Sequence, residues 1–262
     1  MGAIATNRGR IDVTEVGGGP RTPILFLHGV GSDKTLWEPQ LDHFSRTRRA
    51  VAISYPGYGD SEFVADATRD DYAAAVVAAM DALGIERAHI CGLSLGGVVA
   101  IALHAAAPPR CASLILADSF AVHPDGQAIF GRSEAASRTI GMRALAEQRA
   151  GALLGKAASP EIHRDVIETM SAIDPAAYVL GARAVWLADQ RARAAAIDVP
   201  TLVLVGDEDA ITPPALSQEL TGLIPGATMQ MIAKAGHLAN IEQPAAFNAA
   251  IEDFLISIKD LE

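Results

Sequence analysis

Short apolar runs recur along the chain. They are rich in Val, Ile and Leu, are bounded by Gly, Pro or Asp, and occupy residues 24–28, 50–54, 88–92, 113–118, 201–206 and 229–233. Continuous apolar runs of this length are typical of strands that are buried on both faces of a parallel sheet. Between them, residues 69–83 begin with acidic side chains and end at Gly84, and the Ala-rich residues 94–107 end at Pro108, so both stretches are predicted to be helices. This alternation predicts βαβ units and a doubly wound α/β sheet.

One long interval departs from this alternation. About 80 residues separate the fourth run from the fifth without another strand-like run, although helix-forming residues are plentiful there. We therefore expect a helical cap, or lid, over residues 120–196, with the core formed by residues 1–119 and 197–262. Nine basic and eight acidic side chains give the insertion a charge of +1, whereas the rest of the chain carries −11. The insertion is thus expected to tolerate an anion better than the core does.

The amino-acid composition and charge exclude several classes of protein. Half of the 262 residues are hydrophobic and 20% are charged, which favours a folded domain over disorder. The net charge of −10 makes a nucleic-acid partner unexpected, because binding phosphates requires a basic surface. Cys91 and Cys111 lie in apolar contexts and are expected to be reduced core residues, as in a cytoplasmic protein. Neither a secretory signal nor a membrane span is expected, since no apolar stretch approaches the ~20 residues that a span requires. The sequence does not predict the oligomeric state.

The motif Gly92-Leu93-Ser94-Leu95-Gly96 directly follows a predicted strand and opens a predicted helix. This is the G-x-S-x-G pattern of a nucleophile elbow, in which glycines allow a sharp turn that exposes a serine hydroxyl at the carboxyl edge of the sheet. Ser94 is therefore the predicted nucleophile.

A serine hydroxyl needs a neighbouring base, and the base needs a carboxylate to orient it. Of seven histidines, His237 follows the last predicted strand and should reach the same edge of the sheet as Ser94. Asp209, three residues beyond the strand that ends at Gly206, is the predicted acid, and Asp118 is the alternative. The order Ser, Asp, His along the chain is the order used by the α/β-hydrolase arrangement.

Backbone N–H groups should stabilise the oxyanion that forms on the substrate. We expect these donors to be the amides of Leu95, which follows the nucleophile, and Val30, in the loop after the first run, with His28 ordering that loop. The sequence contains no phosphate-binding glycine motif, no H-E-x-x-H and no Cys/His cluster. It therefore implies no cofactor and no metal.

These motifs together resemble the α/β-hydrolase superfamily over essentially the full chain. The sequences GLSLGG around Ser94, LVGDEDAITPP around Asp209 and GHLANIEQPAAFN around His237 are most similar to 3-oxoadipate enol-lactonases and allied esterases. Within the D-x-P-G-x-G-x-S pattern of the superfamily, this chain has Ser54 in place of the aspartate. The resemblance implies an α/β-hydrolase fold, with a mostly parallel doubly wound sheet and a helical cap inserted after the sixth strand.

The resemblance also implies a function. The expected enzyme is a serine hydrolase that cleaves a small carboxylic ester or lactone, such as 3-oxoadipate enol-lactone, through an acyl-enzyme on Ser94. Its substrate would carry a free carboxylate, for which the expected contacts in the cap are Arg132, Arg138, Arg143, Arg183 and Trp186. Three alternatives stay open: a carbon–carbon bond hydrolase acting on meta-cleavage products, a general carboxylesterase, and a hydrolase-fold receptor that binds a ligand with scarcely any turnover. The carbon–carbon bond hydrolases often have Asn at the position of Leu93.

Overall fold

An eight-stranded sheet runs through the computed structural model of the protein, which describes residues 2–260. The spatial order is β1-β2-β4-β3-β5-β6-β7-β8. β1 and β2 pair antiparallel with their neighbours, and the other strands are parallel. The strands are β1 Ala3–Thr6, β2 Gly9–Val16, β3 Ile24–Leu27, β4 Ala50–Ile53, β5 Ala88–Leu93, β6 Cys111–Ala117, β7 Thr201–Gly206 and β8 Thr228–Ile232.

The two antiparallel strands, β1 and β2, lie outside the six apolar runs. Their side chains are only partly buried, and β2 mixes polar residues such as Asp12 and Thr14 with the buried Ile11 and Val13. A strand of this kind lacks the continuous apolar run that a strand covered on both faces requires. The six predicted strands all form, with ends within two residues of the predicted ones.

Helices cover both faces of the sheet. Along β3, Leu25 and Leu27 pack in one apolar cluster with α2 and α3, whereas Ile24 and Phe26 pack in another with α1 and α11. This alternation reflects the two-residue period of side chains along a strand. The helices are α1 Glu38–Phe44, α2 Arg69–Ala82, α3 Leu95–Ala106, α4 Gly126–Thr139, α5 Gly141–Leu153, α6 Pro160–Ser171, α7 Pro175–Trp186, α8 Arg191–Ala195, α9 Pro214–Leu223, α10 Ala239–Glu242 and α11 Pro244–Ser257.

Five of these helices, α4 to α8, lie between β6 and β7 and form the cap. The predicted fold, with a helical cap inserted after the sixth strand, is therefore confirmed. The exact division into a core of 1–119 and 197–262 and a cap of 120–196 stays a prediction. Met1, Leu261 and Glu262, which the predicted core ranges include, lie outside the described residues.

A partly buried ion pair lies next to Ser54. The carboxylate of Asp12, on β2, contacts Lys34 Nζ at 2.5 Å and accepts a hydrogen bond from the Asp60 N–H at 3.1 Å. The Ser54 hydroxyl accepts a hydrogen bond from the Lys34 N–H at 3.1 Å. A neighbouring strand thus supplies a carboxylate to the loop in which the superfamily pattern places its own aspartate.

Within residues 2–260, no helix combines the length and apolarity needed to cross a membrane. Cys91 and Cys111 are both buried and unbonded to each other, as their apolar sequence contexts predict. The location in the cell and the lack of a nucleic-acid partner stay predictions from the sequence.

Candidate active site

Ser94 is the single residue between β5 and α3. Its backbone has φ 55° and ψ −113°, a conformation that costs a non-glycine residue of the order of 1–3 kcal/mol. The turn is so tight that a Cβ atom on Gly92 would lie 2.2 Å from the carbonyl oxygen of Gly96. The hydroxyl of Ser119 donates a hydrogen bond to the Ser94 carbonyl at 2.9 Å and helps to hold the turn. The local sequence therefore fixes the serine at the carboxyl edge of the sheet.

Asp209 and His237 meet at the same edge. His237 Nδ1 lies 2.9 Å from Asp209 Oδ2, and both side chains are buried. Asp209 also accepts hydrogen bonds from the N–H groups of Ile211 (2.8 Å) and Thr212 (2.9 Å) and from the Thr212 hydroxyl (2.6 Å). Burial alone would raise the pKa of Asp209, but His237 and these donors outweigh it and lower the pKa to about 2. An ionised Asp209 requires the proton of a neutral His237 to sit on Nδ1, which leaves Nε2 able to accept one.

Asp118, the alternative acid, has a different environment. It directly follows β6, has a φ of 47°, and uses Oδ1 to accept a hydrogen bond from the Gly206 N–H at 2.8 Å. Burial, followed by the nearby charge of Asp209, raises the pKa of Asp118 well above its ordinary value. Of the two predicted acids, the structure brings Asp209 to the imidazole of His237.

The loop after β3 lies against the serine. A Cβ atom on Gly29 would come within 3.5 Å of Ser94 Cβ, and Val30 is the next residue. His28 orders this loop, because its Nδ1–H donates to the Gly29 carbonyl at 2.8 Å and its Nε2 accepts from the Tyr55 N–H at 3.3 Å. This pattern requires a neutral ring, in agreement with a pKa that burial lowers to about 4.

Leu95, the second predicted oxyanion donor, is the first residue of α3. Backbone N–H groups at the start of a helix have no acceptor within the helix and point away from it. The Leu95 amide is therefore available to an oxygen held beside Ser94.

These elements surround one cavity of about 460 Å³. Ser94, His237 and Val30 all line it, together with side chains from both the core and the cap. Most of the wall is apolar and is formed by Leu36, Leu93, Leu153, Ile162, Val166, Leu238 and Ile241. A hydroxyl, an imidazole and a glycine-flanked backbone thus face a largely apolar chamber that can hold a small molecule.

A family model described as the alpha/beta hydrolase family matches residues 24–250. The chain belongs to this family. The hydrolase is 28% identical to 3-oxoadipate enol-lactonase 1 of Acinetobacter baylyi, over 98% of this chain and 97% of that protein. It is 31% identical to 2-hydroxymuconate semialdehyde hydrolase of Pseudomonas sp. strain CF600, over 89% and 86% of the two chains. The crystal structure of the enol-lactonase from Burkholderia xenovorans LB400 superposes with a TM-score of 0.91 at 28% identity, covering 97% of this chain and 99% of that one.

The positions of the predicted substrate-binding arginines correct the expectation for this hydrolase. Arg132, Arg138, Arg143 and Arg183 are all exposed and are absent from the cavity wall. Arg138 pairs with Glu134 one helical turn away, and Arg143 pairs with Glu147 and Glu168. Charged side chains on the outward face of a helix are solvated and pair along the helix, and these arginines follow that rule. Trp186 does line the cavity, where it is buried and stacked on Phe120.

Arg149, which is not among the predicted substrate contacts, is the one Arg or Lys that lines the cavity among the described residues. It lies on α5 four residues from both Leu145 and Leu153, which are buried, so helical geometry turns it toward the apolar side. Its guanidinium donates to the Ser133 hydroxyl at 3.3 Å, and it forms no ion pair within residues 2–260. This four-residue spacing is the signal in the sequence that distinguishes Arg149 from Arg143.

Acidic side chains also border the cavity. Glu38, Asp165 and Glu168 are exposed, and Glu168 is paired with Arg143. Water and dissolved salt screen the interactions of exposed charges, with a screening length of about 8–10 Å. The interactions of a half-buried guanidinium with a nearby charge are screened less. Arg149 is the least exposed of the Arg, Asp and Glu side chains in the cavity wall. Residues 2–260 contain no cluster of three or more His, Cys, Asp or Glu suited to a metal ion.

Proposed function

We propose that the protein is a serine hydrolase of a small carboxylic ester or lactone, of the type of 3-oxoadipate enol-lactone, with Ser94, His237 and Asp209 as its catalytic triad. The observation that carries the proposal is the buried Asp209–His237 hydrogen bond beside the cavity that the strained Ser94 also lines. The 28% identity to a 3-oxoadipate enol-lactonase supports the substrate type.

In the proposed mechanism, His237 Nε2 removes the proton from Ser94 Oγ as the oxygen attacks the substrate carbonyl. The N–H groups of Val30 and Leu95 stabilise the oxyanion. The protonated histidine gives its proton to the departing alkoxide or enolate oxygen, which leaves an acyl-enzyme. Water, activated by the same histidine, then attacks the acyl carbon and releases the acid. Asp209 holds the imidazole and stabilises its charged form throughout.

The proposed substrate carries a free carboxylate that binds Arg149. A guanidinium that has no acidic partner in a largely apolar wall is stabilised strongly by a bound carboxylate, because the ion pair replaces the hydrogen bonds to water that are lost on binding. The indole N–H of Trp186 is buried without a hydrogen-bond partner among the described residues, so it is a second donor for an oxygen of the substrate.

Replacing the nucleophile tests the triad. We expect Ser94→Ala to lower the hydrolysis of p-nitrophenyl acetate by at least about 10⁴-fold, because the variant lacks the hydroxyl that forms the proposed acyl-enzyme. The melting temperature should stay close to that of the wild type, because alanine keeps the Cβ atom and the backbone conformation and removes only the hydroxyl. A fluorophosphonate should label the wild type once, on the peptide that contains Ser94. Undiminished hydrolysis by the purified variant would contradict the proposal.

A panel of small esters and lactones with and without a carboxylate tests the substrate type. In Arg149→Met, kcat/KM for the carboxylated substrates should fall about 10- to 100-fold, the range for losing a hydrogen bond to a charged group. Neutral substrates should be unaffected. Arg138→Met is the matched control, because this arginine is on the same cap, is exposed and is not part of the cavity wall. Equal losses on neutral and carboxylated substrates would remove Arg149 from the proposal, and a wild-type preference for neutral acyl chains would favour a general carboxylesterase.

The second candidate is a carbon–carbon bond hydrolase that uses the same triad. It is favoured by the 31% identity to a 2-hydroxymuconate semialdehyde hydrolase. Comparing kcat/KM for an enol-lactone and for a vinylogous diketone acid separates the two reactions. We expect the enol-lactone to be the better substrate, and the opposite order would select the second candidate.

A further inference from the structure

The cap and the loop that carries His237 touch through their backbones. The His237 N–H donates to the carbonyl of Leu153, at the end of α5, at 2.9 Å. Two residues farther along the cap, Gly155 lies against Gly236, where a Cβ atom on Gly236 would come 2.5 Å from the Gly155 nitrogen. The segment 153–156, here named the cap junction, is thus in direct contact with the histidine loop.

One carboxylate binds both sides of this contact. Glu242, at the end of α10, accepts a hydrogen bond from the Gly236 N–H on Oε1 at 2.9 Å and from the Gly155 N–H on Oε2 at 2.7 Å. The first donor directly precedes His237, and the second belongs to the cap junction. Each oxygen of Glu242 therefore fixes a different backbone segment.

Only an ionised carboxylate can make both bonds well. It offers two acceptor oxygens and no donor, whereas a glutamine amide offers one oxygen and places an NH₂ group opposite the other backbone N–H. Burial raises the pKa of Glu242, and the Gly155 and Gly236 amides act against this by stabilising the carboxylate. Two polar backbone groups thus depend on one half-buried side chain, and an unsatisfied group of this kind is costly.

We infer that Glu242 is a positioning residue for His237 that couples the placement of the imidazole to the placement of the cap. The inference rests on the proposed role of His237 as the general base. Displacing a catalytic group by about 1 Å can lower the reaction rate up to about 10²-fold. A side chain that fixes the residue before His237 can therefore change the reaction rate without touching the substrate.

Glu208 provides a matched control. Its Oε2 accepts a hydrogen bond from the Lys156 N–H at 2.7 Å, so it binds the same cap junction and carries the same charge. It directly precedes Asp209 in the sequence, which places its charge close to the triad as well. Among the described residues, the Glu208 side chain makes this one hydrogen bond, and a glutamine there keeps the single oxygen that the bond needs. The Glu208 backbone N–H donates to the Ala235 carbonyl at 2.9 Å, and the substitution leaves that bond in place.

The experiment compares Glu242→Gln with Glu208→Gln, both in the full-length protein. Active sites are titrated with a fluorophosphonate, and the acylation rate per site is measured with p-nitrophenyl acetate, so that unfolded molecules do not count. We expect acylation to fall about tenfold in Glu242→Gln and to change less than twofold in Glu208→Gln. The proton NMR signal of the hydrogen-bonded His237 Nδ1–H should broaden in the first variant and persist in the second.

Equal acylation rates per site in the two variants would overturn the inference, even if Glu242→Gln melts at a lower temperature, because that result describes a purely structural side chain. If Glu242→Gln does not fold, hydrogen exchange of the wild type decides the matter. The Gly155 and Gly236 amides should both be protected and should share one opening rate, and exchange of either at the rate of an open loop would overturn the inference. These exchange rates are independent of Ser94, so a failure of the proposed function, seen in Ser94→Ala, is distinguishable from a failure of the coupling.

Discussion

Two buried aspartates follow neighbouring parallel strands at the same edge of the sheet, yet their protonation differs. Asp118 comes after β6 and Asp209 after β7, and neither is more than 4% exposed. The pKa of Asp118 is raised well above its ordinary value, and that of Asp209 is lowered to about 2. Position in the fold therefore does not decide which carboxyl group is charged.

The hydrogen-bond donors around each carboxyl group explain the difference. Asp209 faces two backbone N–H groups, a threonine hydroxyl and the imidazole of His237. Asp118 accepts one normal backbone hydrogen bond, and its Oδ2 has no hydrogen-bond partner among the described residues. Burial favours the neutral form of a carboxyl group unless donors and opposite charge outweigh it. The comparison shows that the hydrogen-bond donors after β7 stabilise the ionised form of Asp209, whereas the surroundings of Asp118 after β6 favour its protonated form.

The largest expected effect follows from removing the charge at Asp209. Asp209→Asn should lower kcat about 10³- to 10⁴-fold, because an amide can donate to His237 and favour the wrong tautomer. Steady-state hydrolysis of p-nitrophenyl acetate measures this, with circular dichroism to verify the fold. Retention of more than a tenth of the wild-type kcat would show that the negative charge after β7 is dispensable.

A smaller effect should follow from removing one donor. Thr212→Val deletes the hydroxyl that donates to Asp209 Oδ2 but keeps the shape and the backbone N–H bonds. We expect kcat to fall about tenfold, which corresponds to about 1.4 kcal/mol and is close to the lower end of the range for a hydrogen bond to a charged group. Thr221→Val is a suitable control, because that hydroxyl donates to the Ser217 carbonyl within α9. The interpretation fails if both variants lose activity equally.

The smallest effect on catalysis is expected at the other aspartate. Asp118→Asn keeps an oxygen for the Gly206 N–H and should leave kcat within about threefold. A loss as large as that of Asp209→Asn would instead identify Asp118 as the acid of the triad.

Asp118→Asn should nevertheless change how stability depends on pH. With the folded pKa raised above the ordinary ~3.9, the folded wild type keeps a proton that the unfolded chain releases, so its stability falls as pH rises through this window. The stabilising contribution is present below about pH 3.9 and is lost toward the folded pKa. Urea unfolding at pH 5 and pH 7.5 should show the wild type losing stability relative to the variant, by at most about 1.4 kcal/mol per pH unit. Parallel pH profiles would contradict the raised pKa.

The sequence predicts the parts of the fold in which one physical requirement dominates. Strands covered on both faces must be apolar throughout, and β3 to β8 were found for that reason to within two residues at each end. β1 and β2 were missed because most of their side chains are exposed or only partly buried and include polar residues, so neither strand is a continuous apolar run. The elbow at Ser94 could be located because its tight turn restricts the flanking residues to glycine.

The cap was harder to predict because a charged residue on its helices can face either the solvent or the cavity. Its presence followed from the spacing between β6 and β7, but most of its helices have two or more charged residues, and only the phase of α5 distinguishes Arg149 from Arg143. Glu242 was also missed, although it lies in the segment around His237 that resembles the enol-lactonases. A glutamate next to other polar residues is typical of a solvated surface, and its bond to Gly155 joins residues that are 87 positions apart in the chain.

The absence of side chains where Gly155 meets Gly236 limits how this enzyme can be redesigned. Any chimaera that grafts a foreign lid onto this sheet must retain a glycine at both points, because even a methyl group would meet backbone atoms closer than 3 Å. Mutant libraries that aim to reshape the cavity are therefore best confined to the inward-facing positions of α5 and α6, with the cap junction left unchanged.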